Sequence, residues 1–169
     1  MHAIRLLFEP QHIRLLIFIA VTGLLGYGYY SQYVDGLEPC PLCITQRFFF
    51  FLTGILGLIA FLHGPAQTAA RIYAVFGALF AAGGAFFAGR QLWLQSLPED
   101  QVPACGPSLE YILDSFPIME ALEVLMRGDG NCAEIKWEFL GISMPGWAFI
   151  WFIALAVGWL LQARRPSQD

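Results

Sequence analysis

The sequence predicts an all-α membrane protein, a four-transmembrane-helix bundle with two external loops. Hydrophobic residues make up 57% of its 169 residues and charged residues only 13%, about half of the roughly 25% found in soluble domains. A soluble fold of this composition would leave large apolar patches in water. Composition therefore excludes an ordinary soluble globule, a disordered chain and a collagen-like fibre, and favours a single integral membrane domain over residues 1–169.

Four apolar stretches are long enough to cross a bilayer. They are residues 13–30, 44–62, 72–89 and 144–161. A helix rises about 1.5 Å per residue, so 18 residues span about 27 Å, close to the hydrocarbon thickness of a membrane. The alternative is a soluble bundle of buried helices, but four helices without a polar face offer nothing to water. The first stretch lacks a small-residue cleavage site at its end, so we interpret it as a retained span and not as a signal peptide.

The composition within the spans also suits a lipid environment. Small residues crowd the third stretch and favour close helix packing. They are Gly77, Ala78, Ala81, Ala82, Gly83, Gly84 and Ala85. Aromatic residues collect near the span ends, where the membrane interface attracts them. They include Tyr27, Tyr29, Tyr30, Trp93 and Trp147.

Lys and Arg residues beside membrane spans concentrate on the cytoplasmic side, so their distribution predicts the orientation of the spans. The arginines of the two termini and of the second connection are Arg5, Arg14, Arg71, Arg164 and Arg165. The loops 31–43 and 94–143 hold every acidic residue except Glu9 and Asp169. We therefore expect both termini on the cytoplasmic side and both loops outside. The net charge of −4 and the lack of a Lys/Arg cluster argue against nucleic acid as a partner.

All four cysteines belong to the external loops, Cys40 and Cys43 to the first and Cys105 and Cys132 to the second. Three interpretations compete. The two pairs could be structural disulfides, since disulfides persist outside the cytosol. They could form a four-cysteine zinc site, although Cys105 and Cys132 lack the close spacing of such ligands. Finally, both pairs could exchange disulfides.

The Cys40-Pro41-Leu42-Cys43 motif favours the redox interpretation. A disulfide across two intervening residues closes too small a ring to constrain the unfolded chain much. Cys43 lies at the start of the second span, where the N–H groups and dipole of a helix N-terminus stabilise a thiolate. Arg47 follows one turn later on the same face of the helix. A cation at that depth in the membrane costs free energy unless an anionic group pairs with it. Snorkelling of Arg47 to lipid headgroups is the alternative.

A dithiol at a membrane interface needs an electron acceptor. The sequence has no metal-ligand cluster, haem motif or Gly-rich dinucleotide loop, so we expect a lipid-soluble acceptor within the surrounding membrane lipid. A quinone fits, because its carbonyl oxygens can accept hydrogen bonds from Arg47, whose charge favours the reduced form. We expect ubiquinone or menaquinone as the cofactor and no metal.

These features resemble the DsbB family of bacterial inner-membrane thiol–quinone oxidoreductases. The motif residues are Cys40-Pro41-Leu42-Cys43, Arg47, Cys105, Cys132 and residues 131–141 with the sequence Asn-Cys-Ala-Glu-Ile-Lys-Trp-Glu-Phe-Leu-Gly. The resemblance covers nearly the whole chain, and the combination is specific. It implies a multi-pass protein of the bacterial inner membrane with periplasmic loops and cytoplasmic termini. Some members carry a histidine near the end of the third span, and residues 91–96 here have none.

The resemblance also implies an electron relay. A DsbA-like periplasmic thiol oxidase, reduced after oxidising its clients, attacks the Cys105–Cys132 disulfide and forms a mixed disulfide with Cys105. Electrons then pass to Cys40 and Cys43, with a Cys40–Cys105 link as an intermediate. Cys43 meets the quinone, which Arg47 helps to hold. The implied result is sustained disulfide bond formation in secreted proteins.

The second loop has features that suit such a relay. Pro103 and Pro107 bracket Cys105 and hold this segment extended for capture by another protein; an ordinary turn around a structural disulfide is the alternative. Residues 118–126 have an apolar helical face and predict a short helix on the membrane surface. Residues 128–130, Gly-Asp-Gly, predict a turn before the last cysteine.

Two other function classes stay open at this point. One is a non-catalytic membrane protein whose loops are held by disulfides. The other is a transporter or ion channel, although no acidic or basic residue lies in the middle of a predicted span, where ion pathways usually have one.

Overall fold

The structure is a computed structural model that describes residues 10–106, 111 and 116–163. The α-helices in these residues are α1 (Pro10–Tyr33), α2 (Pro41–His63), α3 (Gln67–Gln95), α4 (Ile118–Arg127) and α5 (Met144–Ala163). Two short 3-10 helices cover Glu99–Gln101 and Gly130–Cys132. Two short strands, β1 (Glu138–Phe139) and β2 (Ile142–Ser143), pair antiparallel. Four residues that the predictions of orientation and loop conformation use lie outside the described part of the chain, namely Arg5, Pro107, Arg164 and Arg165.

The boundaries of α2 follow from its sequence. Cys40 precedes the helix in an extended conformation and its sulfur caps the first turn. Pro41 occupies the first helical position, where its missing N–H costs nothing and its fixed φ suits the helix. Gly64 ends the helix in the left-handed conformation with φ 53°, which glycine adopts without strain.

The four long helices form a bundle in which α3 packs along α2 and α5, and α2 packs along α1. The small residues of α3 make this contact close, as the sequence predicted. A Cβ atom at Gly77 would overlap Trp159, and one at Gly84 would overlap Phe152. Both aromatic side chains are fully buried, so glycine at these positions brings α5 against α3.

The outer surface of the bundle is apolar. All four long helices are long and apolar enough to cross a membrane, and each exposes large apolar side chains, for example Ile19, Phe48, Leu79 and Ile153. A soluble bundle would bury such residues. The fold prediction is therefore confirmed: the chain is a multi-pass membrane protein built as a four-span bundle.

One end of the bundle carries both loops and positions the cysteines. There the C-terminal ends of α1 and α3 meet the N-terminal ends of α2 and α5.

The helix α4 forms where the sequence predicted a helix, and its position at a membrane surface stays a prediction. Arg90 of α3 donates a hydrogen bond from Nε to the carbonyl oxygen of Arg127, the last residue of α4 (2.9 Å). Gly128 follows with φ 73° and begins the predicted turn.

The strand pair was not predicted. Glu138 pairs with Ser143 and Phe139 with Ile142, across a two-residue turn at Leu140 and Gly141 with φ of 54° and 73°. Positive φ at both turn residues is the conformation that matches the twist of a hairpin. Leucine rarely adopts it, so a Leu-Gly pair does not predict a hairpin.

Candidate functional site

The first cysteine pair lies at the N-terminus of α2. Cys40 is the residue before the helix, and its Sγ accepts a hydrogen bond from the backbone N–H of Cys43 (3.4 Å). The Sγ atoms of Cys40 and Cys43 are 2.8 Å apart, and both thiols are free. The N–H at the start of the helix thus donates to Cys40, and stabilisation of a Cys43 thiolate by the helix N-terminus stays a prediction.

Cys132 lies beside this pair. It is fully buried and packs with Cys40, Leu42 and Leu94. A hydrogen bond joins the thiols of Cys40 and Cys132; it lowers the pKa of Cys132 and raises the pKa of Cys40. A lower thiol pKa increases the thiolate fraction, and the thiolate is the attacking species in disulfide exchange. The structure thus places Cys132 against Cys40, and this contact lowers the pKa of Cys132.

Cys105 is exposed, in contrast to the three clustered cysteines. Its segment is attached to the turn that precedes Cys132. The backbone N–H of Gly106 donates to Oδ2 of Asp129 (3.2 Å), and Nδ2 of Asn131 donates to the carbonyl oxygen of Gly106 (3.4 Å). The buried carboxylate of Asp129 also accepts the backbone N–H of Asn131 (3.0 Å). Cys105 thus faces solvent on a segment that stays joined to the Cys132 segment.

The relay implied by the resemblance to the DsbB family includes a Cys40–Cys105 link between the loops. The structure instead brings Cys132 against Cys40, because the turn after α4 lies over the N-terminus of α2. The contact between the two cysteine pairs is therefore Cys132 with Cys40.

A cavity of about 330 Å³ opens beside Cys43. Its walls come from α1, α2, α3, α5 and the strand pair, and most of them are apolar. The polar groups at its wall include Ser31, Cys40, Cys43, Gln46, Arg47, Gln91 and Gln95. The Oγ atom of Ser31 is buried and has no hydrogen-bond partner among the described residues. Drug-sized ligands occupy apolar cavities with a few such polar groups.

Arg47 lines this cavity together with Cys43, so the two residues share the face that their spacing predicted. Its guanidinium group is held by α1. Nη2 donates to the carbonyl oxygen of Gly28 (2.8 Å) and Nη1 donates to Oε1 of Gln32. The group also lies 5.0 Å from the centre of the Tyr29 ring. These contacts fix the cation at the cavity wall.

Two glutamines were missed by the sequence analysis. Gln91 of α3 donates from Nε2 to Sγ of Cys40 (3.2 Å) and to Sγ of Cys43 (3.4 Å). Gln46 of α2 donates from Nε2 to Oε1 of Gln91 (2.7 Å). The sequence did contain a signal for them, namely an uncharged polar residue at the buried face of an apolar helix. Such a residue is buried only with a hydrogen-bond partner, so it indicates a polar contact between helices.

Aromatic rings from α1, α5 and residues 137–139 line one side of the cavity. The rings of Trp137 and Tyr27 meet edge to face with centres 5.9 Å apart. Trp147 of α5 donates from Nε1 to the carbonyl oxygen of Phe139 (3.1 Å). Aromatic walls contact planar ligands well, so the hairpin contributes to a site that suits a flat ring.

Comparison with known proteins shows the family to which this chain belongs. Residues 10–162 match the family described as "Disulfide bond formation protein DsbB". The protein "Disulfide bond formation protein B" from Hahella chejuensis is 52% identical to this chain. The match covers 91% of this chain and 94% of the length of that protein. The proteins of the same name from Marinobacter nauticus and Stutzerimonas stutzeri are 50% and 42% identical; they cover 90% and 94% of this chain, and 91% and 98% of their own lengths. The thiol cluster, the four-span bundle and these matches together establish that the chain belongs to the DsbB family of membrane thiol oxidoreductases, which act in disulfide bond formation.

Proposed function

We propose that this protein reoxidises a DsbA-like periplasmic thiol oxidase and passes the electrons through Cys105–Cys132 and Cys40–Cys43 to a membrane quinone. The quinone would be ubiquinone or menaquinone, and the protein would lie in the bacterial inner membrane with both termini in the cytoplasm. The observation that carries the proposal is the cavity that reaches Cys43, because it connects the thiol cluster to an apolar binding site at the membrane.

The residues around the cavity fit a quinone ring. A volume of about 330 Å³ lies within the range of small-molecule sites, and aromatic rings flank a flat ligand. Arg47 and the unpaired hydroxyl of Ser31 would donate to its carbonyl oxygens. When bound, a quinone accepts two electrons and two protons. Arg47 contributes a fixed positive charge where negative charge develops during that reduction.

The relay would begin at Cys105. A thiolate of the reduced partner attacks Sγ of Cys105, so the new intermolecular disulfide forms and the Cys105–Cys132 bond breaks. The electron pair of the broken bond stays on Cys132. Exposure of Cys105 supports this step, because a partner protein must reach it. The contacts of Asp129 with the Cys105 segment support it too, because they keep Cys105 near Cys132 after the bond opens.

The second step would be attack of the Cys132 thiolate on Cys40. The Cys132–Cys40 bond forms, the Cys40–Cys43 bond breaks, and the electron pair remains on Cys43 at the cavity wall. The second thiol of the partner releases Cys105, and Cys105 then attacks Cys132 to restore their disulfide. Cys40 and Cys43 are left as a dithiol. Its oxidation returns the disulfide and delivers two electrons and two protons to the quinone.

A steady-state assay tests the proposal. Purified protein in lipid nanodiscs, mixed with a reduced DsbA-like protein and a short-chain ubiquinone, should consume the quinone and oxidise the partner at equal rates. The Cys43→Ser variant should lose quinone consumption, because the substitution removes the thiol at the cavity. It should be purified in the same yield as the wild type. A wild-type protein that oxidises no partner thiol, or whose Cys43→Ser variant still reduces quinone at the wild-type rate, would refute the proposal.

A further inference from the structure

Gln91 makes direct contact with both sulfur atoms of the first cysteine pair. Its side chain is buried, with 3% of its surface exposed, and its Nε2 lies 3.2 Å from Sγ of Cys40 and 3.4 Å from Sγ of Cys43. A carboxamide NH2 group has two N–H donors. Each sulfur can therefore receive one of them.

The orientation of that carboxamide is set by Gln46. The Nε2 atom of Gln46 donates to Oε1 of Gln91 at 2.7 Å, and Gln46 is buried as well. The same oxygen also accepts a longer hydrogen bond from Sγ of Cys43 (3.6 Å), and the NH2 group of Gln91 lies nearer to both sulfurs. A buried amide that lost these partners would carry the full cost of its desolvated polar atoms, so the two glutamines hold each other in one arrangement.

We propose that Gln91 is a catalytic residue of the Cys40–Cys43 pair, whose NH2 group stabilises the thiolate left on Cys43 when the pair is opened, and that Gln46 is its positioning residue. This inference rests on the proposed relay. In the step that forms the Cys132–Cys40 bond and breaks the Cys40–Cys43 bond, the electron pair of the broken bond goes to Sγ of Cys43. The donor at 3.4 Å from that sulfur is Gln91.

The physical reason lies in the difference between a disulfide and a thiolate as hydrogen-bond acceptors. Hydrogen bonds to ionised groups are about twice as strong as those between neutral groups, so a fixed N–H donor stabilises the opened pair more than the disulfide. A glutamine also supplies this donor without adding a charge to the buried site. Stabilising the reduced form makes a disulfide a stronger oxidant, and the Cys40–Cys43 pair must accept electrons from the second pair.

The Gln91→Met variant tests the inference without quinone or partner protein. Methionine keeps the length and volume of the side chain and removes both donors. The full-length protein is equilibrated with dithiothreitol buffers, and mass spectrometry of alkylated peptides reports the redox state of each cysteine. We expect the equilibrium constant for reducing Cys40–Cys43 to fall about tenfold, which corresponds to a potential about 30 mV more negative. Alkylation of Cys43 in the reduced protein should slow about tenfold, the factor for the loss of about 1.4 kcal/mol, while alkylation of Cys105 stays unchanged.

Three further variants complete the test. Gln91→Glu keeps the acceptor for Gln46 but turns a carboxylate toward the sulfurs, so we expect a larger shift in the same direction; it also serves if Gln91→Met does not fold. Gln46→Met should shift the potential in the same direction by less, because Gln91 remains but is no longer oriented. The matched control is Gln162→Met, the same change at a buried glutamine of α5 that accepts a hydrogen bond from Arg14. Its Cys40–Cys43 potential should equal that of the wild type.

The outcomes separate this inference from the proposed function. If Gln91→Met and Gln91→Glu keep the wild-type potential and alkylation rate while the wild-type protein reduces quinone, the role of Gln91 is wrong and the relay stands. A wild-type protein that fails to reduce quinone refutes the relay and leaves the measurement of the potential intact. A shift in Gln162→Met as large as that in Gln91→Met would overturn the inference, since the effect would then be a general loss of packing.

Discussion

We expect the Cys132→Ser variant to accumulate a mixed disulfide with the DsbA-like partner. In this variant Cys105 has lost its disulfide partner but can still attack the disulfide of the oxidised partner protein. Two thiolates can release this mixed disulfide: the second thiol of the partner and Cys132, which in the wild type lies on the segment joined to Cys105. Removing Cys132 takes away one of these two routes, so a larger fraction of the covalent complex should accumulate.

The Cys105→Ser variant is the matched comparison. It removes the exposed thiol and leaves Cys132, which is fully buried against Leu42 and Leu94 and therefore out of reach of another protein. Little or no mixed disulfide should form. The Cys40–Cys43 disulfide should still form in both variants, because its oxidant is the quinone.

Non-reducing gels after acid trapping measure this difference. A heavier band that contains the partner should appear with Cys132→Ser and be weak or absent with Cys105→Ser. Identical band patterns in the two variants would mean that Cys105–Cys132 is a structural disulfide, and the proposed electron path would be wrong.

The Arg47→Ala variant should bind quinone much more weakly. The substitution removes the guanidinium group from the cavity wall, together with its hydrogen bonds and charge. A hydrogen bond to a charged group contributes about 1.5–3 kcal/mol, so we expect the KM for quinone to rise by about tenfold to a hundredfold. The reaction of the second pair with the partner protein should be unaffected, because Cys105 lies outside the cavity lining.

Two further arginine variants sharpen this measurement. Arg47→Lys should be milder, since it keeps the charge and loses the planar fork that contacts Gly28 and Gln32 at once. Arg71→Ala removes an exposed arginine at the other end of the bundle and should leave the KM unchanged. Size-exclusion profiles establish that each variant is folded. An unchanged KM in Arg47→Ala would contradict the assignment of Arg47 to the quinone site.

The bundle could be predicted from the sequence because membrane spans follow a simple physical rule. Apolar length alone identifies a span, since every backbone polar group must be satisfied inside the bilayer by helix hydrogen bonds. The rule does not give the helix ends. For example, α3 continues past Gly89 through polar residues to Gln95, because a helix can extend beyond the apolar core of the membrane.

The site could be predicted only where the signal is local in sequence. The spacing of Cys40, Cys43 and Arg47 gave their common position at one helix end. The contact of Cys132 with Cys40 depends on how the second loop folds back over α2, which no local pattern encodes. The pairing of Gln91 with Gln46 joins two helices, and glutamine has no sequence motif that marks such a contact.

We expect electrons to leave the protein only through Cys40 and Cys43, and a single-turnover titration of quinone measures whether they do. Fully reduced protein in nanodiscs, without partner, is mixed anaerobically with excess quinone, and the quinol formed is counted by its ultraviolet absorbance. The wild type has four cysteines and should form two quinols per chain, one for each disulfide. A Cys105→Ser/Cys132→Ser variant should form one. A Cys40→Ser/Cys43→Ser variant should form none, although its second pair is intact. Quinol formation by that variant at the wild-type rate would mean that electrons reach the quinone by a path without Cys40 and Cys43.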